Sequence, residues 1–297
     1  MRVALIPRVY LDAVVAIGFP STDGPTNYCA TGFLYGHFSE KLPDEKKRYR
    51  TFLVTNKHVF DGQSSAVLRF NPEAAGSARE YPFRLVNDAG DPVWVSHPHR
   101  QIDIAVIGIN APLLQEHGIN VSIFRSDEHL LTLPSAQEAG VGEGDGVFSL
   151  GFPMGLVGQE RNFVIVRQGV IARISDAYAR SSDEILLDMS IFPGNSGGPV
   201  VTRPEIVAIG GSKAFDRAML LGVVSAYVPY RDVAISAQTG RTRIVFEENS
   251  GLASVVPAEH VAVVVEHAME LEAMRSVPRE ADSRVELQEE GESPSTA

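Results

Sequence analysis

The segment FPGNSGGPV, residues 192–200, sets Ser196 between Asn195 and two glycines. A serine hydroxyl is a poor nucleophile at neutral pH. It attacks a carbonyl only with a base beside it to take its proton and with donors nearby to hold the oxyanion that forms. Glycine adopts backbone angles closed to other residues and lets a substrate come close to main-chain N–H groups. The N–H groups of Gly194 and Ser196 are therefore the candidate oxyanion donors, with Pro199 ending the loop before Val200 and Val201. The plain alternative is a glycine-rich turn with an incidental serine.

A base, and an acid to orient it, are the next requirements. Of the eight histidines, His58 in TFLVTNKHVF follows an apolar run and a polar break, as at a strand end facing a cleft. The same stretch also suits a packed or exposed loop histidine. Asp103 opens the Ile/Val run of HRQIDIAVIGI. A carboxylate there is costly to bury without a partner, and an imidazole N–H is a suitable one. Paired with His58, it would hold the ring in the tautomer that accepts a proton from Ser196. A solvated aspartate at a strand start is the alternative. The three residues lie 45 and 93 positions apart, so different elements must bring them together.

Those elements read as mostly β. Segments 12–19, 51–56, 66–70, 102–109, 146–152, 162–174, 184–190, 205–211 and 219–228 are short, rich in Val and Ile, and punctuated by Gly, Pro, Asp and Asn. That is the pattern of antiparallel barrels or sandwiches. Residues 125–145 are polar and suit a connection between two β units. Residues 257–274 have helical spacing, with Val261, Val264, Val265 and Met269 forming a stripe expected to dock on the second unit. The last residues lose apolar content and are expected to form a disordered acidic tail. The expected division is residues 1–125, residues 126–275 and a tail, 276–297.

Composition narrows the function classes. The chain has 297 residues and a net charge of −11, which weighs against a nucleic-acid partner. The basic run at 46–50 reads as a solvated hairpin loop. A single cysteine, Cys29, allows no intrachain disulfide and reads as a packing residue. Pro7, Arg8 and Asp12 break the apolar runs at the N-terminus, and no window approaches a membrane span. A cytoplasmic protein with no membrane partner is expected. The H-x-H pair His97/His99 lacks further ligands nearby, and GEGDG at 142–146 reads as a turn. Neither metal nor cofactor is expected, and His260 and His267 read as surface or packing residues.

With these residues in view, the sequence resembles the chymotrypsin-fold serine peptidases, in particular their bacterial Deg-type (HtrA-like) branch. TNKHV around His58, DIAVI from Asp103 and GNSGGPV around Ser196 carry the resemblance. Weaker echoes are ATGFL (30–34), LGFPMG (150–155), GVVSAYV (222–228) and NSGLASVVP (249–257). The resemblance implies an all-β fold of two antiparallel six-stranded barrels, with a C-terminal helix here, and a triad in the groove between the barrels. His58 would be general base, Asp103 its orienter and Ser196 the nucleophile. Ser225 would support the carboxylate, and the backbone of Ser225, Ala226 and Tyr227 would pair with an extended substrate.

Three departures qualify it. Asn195 stands where secreted digestive members carry an Asp that pairs with a freshly cut N-terminus, so no activation by N-terminal cleavage is expected. The disulfides of those members are absent. Too few residues follow position 275 for the PDZ domain of Deg-type members. Counting back from Ser196 sets Ser190 near the base of the primary pocket, and Tyr227 would narrow its entrance. Small or medium apolar side chains are the expected preference. The implied activity is a serine endopeptidase acting on proteins or peptides. The alternative is a peptidase-fold module that binds a peptide without cutting it, and an esterase is a third reading.

Overall fold

The computed structural model describes residues 4–21, 24–205 and 216–276. The first unit contains β1 (Val14–Phe19), β2 (Asn27–Lys41), β3 (Lys47–Thr55), β4 (Ser65–Phe70), β5 (Arg79–Arg84), β6 (Val95–Ser96), β7 (Ala105–Gly108) and β8 (Phe124–Arg125). They pair in the order β5–β4–β1–β2–β3–β7–β6, with β8 parallel to β2. The second unit contains β9 (Gly146–Gly151), β10 (Ile165–Arg173), β11 (Ile185–Asp188), β12 (Pro199–Thr202), β13 (Leu220–Ile235) and β14 (Thr242–Pro257). These close into a six-stranded barrel in the order β10–β11–β14–β13–β12–β9. Strand 205–211 of the sequence reading falls outside the described residues beyond Glu205, as does the tail beyond Ser276.

The apolar runs follow from the two faces each strand must cover. On β1, Val15 and Ile17 enter the core of the first unit, while Val14 and Ala16 face a core shared with the second. On β3, Leu53 points inward and Phe52 and Val54 point to the shared core. The second barrel repeats the scheme, with Val200 inside it and Val201 in the shared core. Successive side chains on a strand point to opposite faces, so strands buried on both faces read as unbroken apolar segments. The same layering sets the ends of β3, β7 and β12 at the junction of the units.

The expected all-β double-barrel architecture is present, and the first unit is its less regular half. It carries eight strands and stays an open half-barrel. Its edge strands are β5 and β6, and β6 has only two residues. The 125–145 connection contains a short helix (Leu133–Ala139). Thr132 caps it, its side chain accepting from Ser135 N while Ser135 Oγ accepts from Thr132 N. The C-terminal helix (Glu259–Ser276) buries Val261, Val264, Val265 and Ala268 in the shared core. It packs on β6 and β7 as well as β14, and Glu272 pairs with Arg50. The stripe therefore straps the second unit to the first rather than docking on the second alone, because the apolar faces left over from both units meet there. Among the described residues no helix is long and apolar enough to cross a membrane.

Candidate active site

After β3, the chain makes one helical turn (Lys57–Phe60) that carries His58. Val59 and Phe60 are buried and anchor the turn, so His58 faces out with about half its side chain exposed. Asp103 lies just before β7. Its carboxylate accepts from His58 N at 3.0 Å through Oδ1, and Oδ2 is 2.6 Å from His58 Nδ1. Ser225 Oγ also donates to Oδ2, at 3.1 Å, and Asn56 Nδ2 donates to Asp103 O at 2.7 Å. With a carboxylate against Nδ1, the proton sits on that nitrogen and Nε2 is left as an acceptor. Burial alone would raise the pKa of Asp103. The ring of His58, its backbone N–H and the Ser225 hydroxyl outweigh burial and lower the pKa below the ordinary carboxylate value.

Ser196 follows a tight loop whose shape depends on two glycines. Gly194 has φ +98° and Gly197 φ +82°, angles that L side chains avoid. A Cβ on Gly194 would strike Phe152 O, and one on Gly197 would strike Thr31 O and Thr55 Oγ1. Pro193 O accepts from Met154 N at 2.6 Å, and Asn195 O from Gly198 N at 2.9 Å. In a trans peptide the C=O and N–H point in opposite directions. The N–H groups of Gly194 and Ser196 therefore point away from these contacts, and neither has an acceptor among the described residues. The buried Asn195 holds the loop from inside, its Oδ1 accepting from Phe192 N at 3.0 Å. Its Nδ2 is buried without a partner among the described residues.

Thr31 on β2 ties this loop to the first unit. Its Oγ1 donates to Gly194 O at 2.6 Å and accepts from Phe152 N at 3.0 Å, and its N donates to Ser196 O at 2.9 Å. Its own carbonyl accepts from Thr55 Oγ1 at 2.8 Å, at the strand end that leads to His58. The sequence reading did not single out Thr31. The signal available was a hydroxyl residue amid the apolar alternation of ATGFL.

His58, Asp103, Gly194, Ser196, Ser225, Ala226 and Tyr227 line one cleft of about 620 Å³, together with Phe19, Cys29, Ile191 and Phe192. Ser196 Oγ donates to Ser225 O at 3.2 Å, and among the described residues no hydrogen bond joins it to the His58 ring. Ser190 is exposed and is not among the cleft-lining residues, in contrast to the sequence expectation. Met189 and Ile191 are buried on either side of it, in the segment that follows the end of β11 at Asp188, and Ile191 lines the cleft in its place. Cys29 likewise departs from a packing role, since it is exposed and faces the cleft. Tyr227 is half-buried, with its hydroxyl donating to Glu247 at 2.8 Å. His97 and His260, both outside this cleft, face each other with Nε2 and Nδ1 3.2 Å apart.

Two β units with a hydrogen-bonded His–Asp pair from one and a glycine-framed serine from the other define the chymotrypsin-like double-barrel class. Residues 30–210 match the trypsin-like peptidase domain, and the chain belongs to that family. In the comparison with curated proteins nothing matches.

Proposed function

We infer that the protein is a serine endopeptidase that cleaves polypeptides through an acyl-enzyme on Ser196. The observation that carries this reading is the convergence of a base, its acid and an unoccupied pair of N–H donors on one cleft. His58 Nε2 takes the Ser196 proton as Oγ bonds to the scissile carbonyl carbon. The N–H groups of Gly194 and Ser196 hold the resulting oxyanion, and Asp103 stabilises the imidazolium. His58 then gives the proton to the leaving amine, and water, deprotonated by the same ring, releases the acyl group. The residues this mechanism needs come from both β units. The net charge of −11 weighs against a nucleic-acid partner, and the single cysteine is compatible with a cytoplasmic setting.

One rearrangement must precede chemistry. The Ser196 hydroxyl rotates from Ser225 O to His58 Nε2; contacts of this kind tighten when substrate binds. That same contact is the observation behind the rival reading, a peptidase-fold module that holds a peptide without cutting it. A fluorophosphonate probe separates the two. Labelling of the intact protein that disappears in Ser196→Ala, with an unchanged thermal melt, is the expected result. Wild-type protein that resists the probe and leaves denatured protein uncut supports the binding module. Turnover of ester but not peptide substrates supports an esterase.

A further inference from the structure

Strands β13 and β14 run well past the cleft as a two-stranded ribbon, paired to each other from Pro229↔Asn249 to Ile235↔Thr242. Strand β12 covers the outer edge of β13 only as far as Val223. From Ser225 to Ile235 that edge has no strand partner among the described residues. It is the edge that faces the cleft, because Ser225 O accepts from Ser196 Oγ. Ser225, Ala226 and Tyr227 line the cleft, and the same strand continues outward for eight more residues.

Both faces of the ribbon carry exposed apolar side chains among charged ones. Tyr230, Val233, Ile235, Ile244, Val245 and Phe246 are 44 to 64 % exposed. Two strands alone are marginal in water and need a third strand or a packed face. Charge does not select the occupant: Arg231, Arg241 and Arg243 balance Asp232, Glu247 and Glu248 in a chain of net charge −11. At the ribbon base, Glu247 takes hydrogen bonds from both Tyr227 and Arg231, at 2.8 and 2.9 Å, so the ribbon is fixed to the cleft wall.

We propose that this ribbon is the outer part of the substrate site, where an extended apolar polypeptide lies along the free edge of β13 as a third strand. The proposal rests on the peptidase reading above and names its substrate class: unfolded chain rather than short peptide. An antiparallel added strand runs opposite to β13. The substrate residues that meet 229–235 therefore lie N-terminal to the scissile bond. Main-chain pairing supplies affinity with little regard to sequence, and the exposed Val, Ile and Phe side chains favour apolar segments. The edge from Ser225 to Ile235 spans about 33 Å at the rise of a strand, enough for roughly ten substrate residues.

The test uses the full chain. A cleavage site is mapped in a denatured protein by mass spectrometry, then synthesised as peptides with four or ten residues N-terminal to the scissile bond. In one variant an Asn-Gly turn replaces residues 232–246, keeping Arg231 opposite Glu247. In a second, Val233→Thr and Ile235→Thr remove apolar surface but keep strand propensity, and this variant decides the question if the shortened chain fails to fold. Wild type is expected to favour the longer peptide by about tenfold in kcat/KM, as several added cross-strand pairs would give. The shortened variant should lose that preference and the double threonine variant should weaken it, while the short-peptide rate and probe labelling stay unchanged. A long-to-short ratio near one in wild type, or a ratio the variants leave intact, overturns the proposal but not the peptidase reading. A wild-type dimer in sedimentation that the variants dissociate assigns the ribbon to a second copy and also overturns it. Wild type that neither labels nor cuts either peptide removes both.

Discussion

The two walls of the cleft are held by different forces. On the His58 wall, the Asp103 carboxylate receives three contacts, from His58 N, His58 Nδ1 and Ser225 Oγ, and the Asp103 main-chain carbonyl accepts a fourth from Asn56 Nδ2. On the Ser196 wall, order comes from neutral main-chain contacts, two left-handed glycines and the hydroxyl of Thr31. The first wall is therefore sensitive to charge and pH, and the second to shape. Function needs both, because the base is useless without a carbonyl held at the right depth, and the donors are useless without a deprotonated serine.

The sharpest way to break this contrast is Asp103→Asn. It keeps the shape of the first wall but removes its charge and disturbs the ring tautomer, so peptide hydrolysis at pH 7 should fall by about 10³–10⁴-fold. The lowered pKa of Asp103 adds a stability signature. Its contribution is present above the ordinary carboxylate value of about 3.9 and is lost as pH falls through the lowered value. Thermal melts of Asp103→Asn below pH 4 should then converge on wild type. A variant that retains wild-type kcat contradicts the electrostatic account of this wall.

Gly194→Ala tests the other wall by shape alone. The added methyl collides with Phe152 O and disfavours the φ of +98°. Turning one N–H donor away should lower kcat by about 10²–10³-fold, with kcat rather than KM carrying the loss. An equal loss in KM would point to a binding defect instead. Thr31→Val is milder and asks whether the walls are coupled. It leaves Gly194 O and Phe152 N without their partner, at a cost of about 1–3 kcal/mol, and should slow acylation about tenfold while Thr31→Ser restores the rate. A fall in melting temperature without any change in acylation would reduce Thr31 to a packing residue.

The smallest effect lies behind the first wall, where His97 N donates to Ile104 O and His260 packs on His97. Burial lowers the pKa of both rings; His260, His99 and Asp183 act on His97, and Glu259, Asp183, Arg180 and His99 on His260. For a histidine with a lowered folded-state pKa, stability is full above the unfolded value of about 6.5 and declines as pH falls below it. Lowering pH from 7.5 to 5.5 should therefore reduce the melting temperature through these two rings. His260→Asn should flatten that dependence, as followed by differential scanning calorimetry.

Parts of this architecture were legible because they are local. The unbroken apolar runs at 12–19 and 51–56 mark strands buried on both faces. The capping pair Thr132 and Ser135 was equally local, and the helix it starts was passed over because the surrounding residues are polar. The half-barrel of the first unit was not legible, since the order in which its strands pair is set by contacts distant in sequence. Nor was the identity of the residue facing the pocket. Counting back from Ser196 led to Ser190, whereas Ile191 lines the cleft, and the path of the non-strand segment after Asp188 decides which of the two faces it.

Residue chemistry along the chain was enough to settle which groups were available: a serine framed by glycines, a histidine after a strand, an aspartate before one, and strand-forming segments of two β units. Strand and turn propensities act over a few residues, so they can be read in order. The tertiary structure alone decided that the Ser196 hydroxyl rests on Ser225 O, that Thr31 reaches across to Gly194 and Ser196, and that the C-terminal helix straps one unit to the other. Those contacts join residues more than 15 positions apart. They exist only because burying the second apolar face of each sheet forces the two units together.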